Sequence, residues 1–290
     1  MDKLLNWSLA QSDPATAAQT GAPDPELLAK LFAKADDPTL MKQSMQIIKS
    51  SDPEISHDDK IIAWENFEML IENLDNAMNI ENLKLWPGII EELKSDDTEF
   101  QNLACSVIGT AVQNIEKAQS DFLKHDNGVK FLIELAGGTS GSSTAGVRLK
   151  AMYALSNLIR NNEKSYAQFN EYEGWSLIGP VLTDKEASDR LKLRSLSLLS
   201  ALLSLTEAKA DIFNHISQFE IIRNMLVDCG KESSISYVDK ALNLLVLLIH
   251  CGYKYTETEL KLIASFGELI ETQFKDAINV DDYLVLKQVL

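Results

Sequence analysis

Cysteine is scarce in this 290-residue sequence, and so are glycine, proline, histidine and positive charge. Cys105, Cys229 and Cys251 are odd in number and far apart, with no CxxC pair and no Cys/His cluster at zinc spacing. That excludes a disulfide framework and a structural zinc module, and leaves buried, reduced thiols as the expectation. Only 13 glycines and 7 prolines argue against a loop-rich or strand-rich fold. His57, His125, His215 and His250 lie in separate segments without metal-ligand spacing, so neither a metal nor a cofactor is expected. No apolar run approaches membrane-spanning length, and MDKLLNWSLAQS (1–12) is too short and polar for a signal peptide. The Asn6-Trp7-Ser8 sequon is therefore read as chance and the chain as cytoplasmic. Lys and Arg number 27 against 43 Asp and Glu, a formal net charge of −16. Such a surface repels phosphate backbones and anionic headgroups, so no nucleic acid and no membrane is expected as a partner. On net charge alone, a basic partner surface is the easier match.

What the sequence does have is helix-forming material, dominated by Leu, Ile, Ala, Glu, Lys and Asn. Residues 1–35 read as a flexible N-terminal arm. A short amphipathic stretch (Leu4, Leu5, Trp7, Leu9) precedes SDPATAAQTGAPDP (12–25), which has linker composition. Pro25 then opens PELLAKLFAKA, a short helix with Pro at its first position. From residue 36 to 290 the pattern is almost continuously helical, and it repeats. Ala151, Ala154, Leu155, Leu158 and Ile159 fall on one face of a 3.6-residue helix. The same template reads Ala63, Asn66, Phe67, Leu70, Ile71, and again Ala104, Val107, Ile108, Ala111, Val112. It recurs as Ser195, Leu198, Leu199, Leu202, Leu203 and as Ala241, Leu244, Leu245, Leu248, Ile249. The starts at 63, 104, 151, 195 and 241 are separated by 41, 47, 44 and 46 residues.

A second anchor fixes the register: Phe122, Phe169 and Phe213 each lie 18 residues after their unit's start. A turn and another apolar helix follow each, opening at Gly128, Gly174 and Phe219, with glycine expected to supply left-handed backbone there. Three helices per unit favour armadillo over HEAT repeats. The predicted fold is all-α, an armadillo-like helical-repeat solenoid, because no single unit can bury its own apolar face. GGTSGSSTAG (137–146) lacks the Gly-Lys-Ser/Thr of a phosphate loop and reads as a junction loop. The carboxylate pairs Asp36-Asp37, Asp58-Asp59, Asp96-Asp97 and Asp281-Asp282 fall at helix starts, where they serve as caps rather than as acid and base. With no nucleophile–base set either, the chain is not read as an enzyme. The Trp/Asn ladder with which import adaptors hold extended peptides is also missing. Only Tyr153 and Asn157 approach it, against Glu65 and Met69, Ser106 and Thr110, Ser197 and Ala201, and Asn243 and Leu247 elsewhere.

Several segments go further than periodicity. MDKLLNWSLAQS (1–12), PDPELLAKLF (23–32), DDPTLMKQSM (36–45), NFEMLIENLDNAMNIENLKLW (66–86), IGTAVQN (108–114), YALSNLIRN (153–161) and DDYLVLKQVL (281–290) span the chain in order. The polar residues of 66–86 are not dictated by packing. In these segments the chain resembles a fungal member of the armadillo-type nucleotide exchange factors of heat-shock-protein-seventy (DnaK-type) chaperones. The resemblance implies a monomeric co-chaperone that embraces the chaperone's ATPase domain with its concave surface, promotes ADP release and thereby frees client protein. The rival class is a generic armadillo adaptor or scaffold. The contact residues expected on the exposed side and C-terminal ends of the third helices are Asn73, Asn76 and Ala77, then Gln113 and Asn114. Tyr153, Asn157, Arg160, Asn161 and Arg194 continue the set, Ala77 being small where a partner could approach closely. The arm residues Leu4, Leu5, Trp7 and Leu9 are expected to mimic a client peptide.

Overall fold

Each occurrence of the apolar template becomes the middle of a long helix, and a polar side chain marks where each helix starts. In the computed structural model, which describes residues 36–138, 144–227 and 229–290, the long helices are α2 (His57–Ile71), α5 (Thr98–Ala111), α8 (Ala145–Ile159), α11 (Asp189–Leu202) and α14 (Ile235–Cys251). Ser56, Asp97, Thr144, Ser188 and Ser234 cap them, each side-chain oxygen accepting a first-turn backbone N–H. Asp36 caps α1 (Asp37–Ile48), and Asp59 completes a capping box with Ser56. The paired carboxylates are thus helix-start residues, as their positions suggested. No strand occurs among the described residues.

Between the long helices lie two shorter ones. The first-helix series is α3 (Leu74–Asn82), α6 (Glu116–Phe122), α9 (Glu163–Glu171) and α12 (Lys209–Gln218). The second series is α4 (Trp86–Glu91), α7 (Gly128–Gly137), α10 (Ile178–Thr183, entered through a 3-10 turn at Gly174–Leu177) and α13 (Ile221–Leu226). Four complete three-helix units result, preceded by α1 and α2 and followed by α15 (Glu257–Leu269) and α16 (Val280–Lys287). The third helices stack side by side, α2 on α5, α5 on α8, α8 on α11 and α11 on α14. Their template residues form the core: Ala104, Val107, Ile108, Ala151, Leu155, Leu158, Leu198, Leu202 and Leu245 are all inaccessible. Polar contacts also repeat at one-unit spacing. Asn162 Nδ2 donates to Gln119 Oε1 at 3.0 Å, Gln119 Nε2 to the Asn157 carbonyl at 2.8 Å, and Tyr166 Oη to Asp211 Oδ2 at 2.5 Å.

The phenylalanine anchors behave unequally. Phe122 and Phe169 are fully buried, Phe122 edge-on to Trp86 and Phe169 edge-on to Trp175, while Phe213 is half-buried against Tyr253. The glycines beside the first two do not supply left-handed backbone. That conformation belongs to the residue before, Asn127 (φ 63°), Glu173 (φ 56°) and Glu220 (φ 48°). Gly128 and Gly174 are there because a Cβ would lie 2.7 Å and 2.3 Å from the Phe122 and Phe169 rings. In the fourth unit Ile221 occupies the equivalent place, and the ring has moved outward. The 137–146 loop joins α7 to α8, inside a unit rather than between units; residues 139–143 lie outside the described set.

Asp121, with its side chain 4% exposed, sits between Lys117 and Lys124 at 2.5 and 2.6 Å. Burial pushes its carboxyl pKa up, but the two ammonium groups outweigh that and hold it below the ordinary value of 3.8. A carboxylate pKa depressed by folding contributes stability that is complete above the unfolded value and is lost as pH falls through the folded one. Asp121→Asn is therefore expected to lower stability at neutral pH and to flatten the acid limb below about pH 4, read by urea melts at successive pH values.

Candidate functional site

The stacked third helices leave one row of side chains facing outward along the concave side. At the usual helix spacing of 8–10 Å, five such helices span roughly 35 Å, the width of a small folded domain. The row is tightly knit at its centre. Gly109 lets α5 and α8 approach, since a Cβ there would lie 2.4 Å from the Tyr153 ring and 3.2 Å from the Ala154 Cα. Its carbonyl accepts from Asn157 Nδ2 at 3.1 Å. Tyr153 Oη donates to Gln113 Oε1 at 3.3 Å, and the Arg194 guanidinium stands 5.1 Å over the Tyr153 ring. At that distance the ring quadrupole attracts the cation and holds it in place without neutralising it. Toward α2, Lys150 Nζ donates to Ser106 Oγ at 2.8 Å, and Ser106 and Thr110 both donate to Glu68 Oε1.

One register position carries the electrostatics. The residues one before each repeat start are Ile62, Leu103, Lys150, Arg194 and Lys240, so three successive units place a cation at the same height. Arg190 joins Lys150 and Arg194 around an open depression of about 530 Å³, floored by Leu149, Leu193 and Ser197. Arg160, at the end of α8, faces Lys240. Burial pushes the Lys240 ammonium pKa down, and Arg160 pushes it the same way against the weaker opposite pull of Asp239. Among the described residues none of these five cations lies within ion-pair distance of a carboxylate. Asp239 turns instead to the Asn279 N–H at 3.0 Å. The middle of the concave face is thus locally basic on an acidic protein. At contact distance the nearest charges dominate, because salt screens the rest beyond about 8 Å.

The sequence-selected residues divide by surroundings. Gln113 and Asn114 line, with Tyr153, Glu72 and Leu74, a second depression of about 460 Å³. Asn114 (φ 58°) and Asn161 (φ 56°) end α5 and α8 in left-handed backbone, and the Asn161 N–H donates to Ser204 Oγ at 3.0 Å. Arg194 is exposed, while Tyr153, Asn157 and Arg160 are half-buried. Asn73 is exposed and caps α3 through the Asp75 N–H. Asn76 and Ala77 are not surface residues: they are 7% and 1% exposed. The chain enters α3 at Leu74, so both fall on its inward face. Asn76 Nδ2 ties that helix to Asp37 Oδ2 (2.8 Å) and the Leu70 carbonyl (2.9 Å). No partner reaches Ala77, and its small size serves helix packing. Leu4, Leu5, Trp7 and Leu9 lie outside the described residues. Lys150, Arg190 and Lys240 were missed, although the repeat register alone places Lys150 and Lys240 level with Arg194.

Among the described residues no group of three or more His, Cys, Asp or Glu side chains could hold a metal ion, and no helix is long and apolar enough to cross a membrane. Three-helix units stacked into a continuous row of outward third helices define an armadillo-type repeat protein. Solved designed armadillo proteins share the fold. One, in complex with a (KR)4 peptide, superposes with a TM-score of 0.67 at 11% identity, over 88% of this chain and 99% of its own. Another, made for modular peptide recognition, gives 0.67 over 86% and 99%, also at 11% identity. Family matches are more specific. The family described as "Nucleotide exchange factor Fes1" matches residues 1–80, and "SIL1/FES1/HPBP1 C-terminal domain" matches 76–223. Proteins named "Hsp70 nucleotide exchange factor FES1" are 44% identical in Eremothecium gossypii over 294 residues and 44% identical in Saccharomyces cerevisiae over 295, in both cases covering 100% of each chain. The chain belongs to the Fes1 family of nucleotide exchange factors.

Proposed function

We propose that this chain is a nucleotide exchange factor for an Hsp70 chaperone and that it grips the chaperone's ATPase domain with the third-helix row. The observation that carries the reading is the run of unpaired cations, Lys150, Arg194 and Lys240 with Arg190 and Arg160, on a concave face wide enough for a folded domain. A guest with an acidic patch supplies the carboxylates these cations lack, and an Arg–carboxylate pair can be bidentate. Exchange then follows from linkage. If the row fits the ATPase domain better when its nucleotide cleft is open, the factor weakens ADP binding by the same ratio by which ADP weakens the factor. A tenfold ratio amounts to about 1.4 kcal/mol, within reach of one charge-assisted contact.

In this reading the chain acts as a monomer in the cytoplasm and performs no bond chemistry of its own. The N-terminal residues Leu4, Leu5, Trp7 and Leu9 act as a client-like segment whose tether raises its effective concentration once the repeat body is bound. Deleting residues 1–35 should leave ADP release unchanged and slow client release; equal loss of both would remove the arm's separate role. The exchange reading itself is tested with a fluorescent ADP analogue loaded on an Hsp70. Micromolar factor is expected to accelerate its release, and no acceleration would favour the alternative, an adaptor that merely binds.

A further inference from the structure

Glu72 stands where its charge is unfavourable. It follows Ile71, the last residue of α2, so its carboxylate lies at the negative pole of a 15-residue helix. Glu68, one turn earlier on the same face, adds a like charge. The hydroxyls of Ser106 and Thr110 satisfy Glu68. Glu72 is exposed, and among the described residues it has no Lys, Arg or His within ion-pair distance. Nine residues past each repeat start the register reads Glu72, Gln113, Arg160, Ser204 and His250. At this height the row therefore runs from an anion on α2 to a cation on α8.

The depression of about 460 Å³ beside Glu72 has the same bias throughout. It lies between the C-terminal ends of α2 and α5, which stack side by side and present the negative ends of two dipoles together. Gln113 and Asn114 add amide oxygens, and the Tyr153 hydroxyl, which donates to Gln113, keeps lone pairs with which to accept. No cationic side chain lines this depression, whereas no carboxylate lines the one around Lys150, Arg190 and Arg194. Leu74, 55% exposed, offers apolar surface at the edge to the stem of a long side chain. Carboxylate, amide oxygens, hydroxyl and helix ends all favour a cation.

We propose that this depression receives a lysine side chain of the guest, its ammonium against Glu72, Gln113 and Asn114 and its stem against Leu74. This rests on the exchange-factor reading above and adds to it a second, opposite charge on the guest. Lysine suits the site better than arginine. The acceptors belong to separate side chains rather than to one carboxylate edge, which fits three rotatable donors better than a planar fork. Arg194 lies one residue before its repeat start and Glu72 nine after. The two depressions are thus two helix spacings apart across the row and ten residues of rise apart along it, roughly 20–25 Å in all. A guest that carries a lysine at that distance from its acidic patch can lie only one way round, acidic patch on α8 and α11, lysine on α2 and α5. Turned end for end, it would set like charges together at both places.

Binding of the full chain to a nucleotide-free Hsp70 ATPase domain, with release of the fluorescent ADP analogue measured alongside, tests this. Glu72→Lys should weaken binding about 30-fold, because it sets two like charges together, and Glu72→Gln about fivefold. Folding should not suffer, since lysine near a helix C-terminus is favoured, so the melting temperature of Glu72→Lys should equal or exceed that of the unaltered chain. Glu171→Lys, exposed on α9 and outside the row, makes the same change in net charge and should bind at full strength. A carbodiimide, which joins a carboxylate to an amine in contact with it, should couple Glu72 to a lysine of the ATPase domain, and Glu72→Gln should abolish that product. Full-strength binding by Glu72→Lys would overturn the proposal. So would equal losses in Glu72→Lys and Glu171→Lys, or coupling that leaves Glu72 unjoined in the complex. If the unaltered chain neither bound the domain nor sped ADP release, the exchange reading itself would fall; with both intact, any of those three failures removes the lysine site alone.

Discussion

Arg194→Glu is expected to lower the efficiency of stimulated ADP release about 100-fold, with the far-ultraviolet circular dichroism unchanged. Arg194 is exposed, has no carboxylate within ion-pair distance, and is held over the Tyr153 ring at 5.1 Å. Reversal removes a charge-assisted contact and sets a like charge against the acidic patch, together roughly 2–3 kcal/mol, or 30- to 150-fold. Its neighbours sharpen the test. Lys150 and Lys240 stand at the same register position on α8 and α14, so each reversal alone should cost less, and Lys150→Glu with Arg194→Glu should exceed either single change. Because Lys150 and Arg194 share one depression, their effects should depart from additivity. Raising the salt concentration should shrink the difference between Arg194→Glu and the unaltered chain. Arg194→Lys should retain part of the activity, since lysine keeps the charge and loses the planar fork. A full-strength factor carrying glutamate at 194 would mean that the guest docks elsewhere.

Gly109→Val is expected to be nearly as damaging, by a different route. The added side chain cannot coexist with the Tyr153 ring, which a Cβ alone would approach to 2.4 Å, nor easily with the α8 backbone at 3.2 Å. Either α5 and α8 separate or Tyr153 swings out, and the overpacking should cost about 3 kcal/mol. The Asn157 bond to the Gly109 carbonyl and the seat of Arg194 go with it. Exchange activity should fall at least about tenfold even at temperatures where the chain remains folded, because the contact surface itself is deformed. Gly109→Val with Tyr153→Ala should recover stability, having room again, but not activity. Recovery of both in the double variant would show that Tyr153 and its partners play no part in the grip.

The architecture was legible in the sequence because the solenoid is a local structure repeated. The period, the third-helix cores and the helix-start carboxylates all follow from neighbours in the chain, and the template residues are buried or half-buried as the pattern puts them, except Asn66 of α2, which is exposed. The errors came where position depends on how helices meet. Asn76 and Ala77 looked like the open end of a third helix. In fact the chain turns at Asn73 and starts α3, which carries both inward. Gly128 and Gly174 looked like backbone hinges, yet ring contacts from Phe122 and Phe169 explain them. The basic centre of the row was hidden because a sum over 43 acids and 27 bases cannot show that Lys150, Arg190 and Arg194 line one depression and that Arg160 faces Lys240. Lys150 and Lys240 were within reach of the register, whereas Arg190 and Arg160 join them only through the stacking of α8, α11 and α14.

Hydroxyl-radical footprinting of the full chain with and without a nucleotide-free Hsp70 ATPase domain tests the central claim most directly. It reads side-chain accessibility along the row that is said to make contact. Tyr153, Leu149 and Leu193 on the concave row should lose reactivity on complex formation, while exposed apolar residues away from it, Val227 and Leu284, should keep theirs. Protection of Val227 or Leu284 with Tyr153, Leu149 and Leu193 still fully reactive would contradict the account.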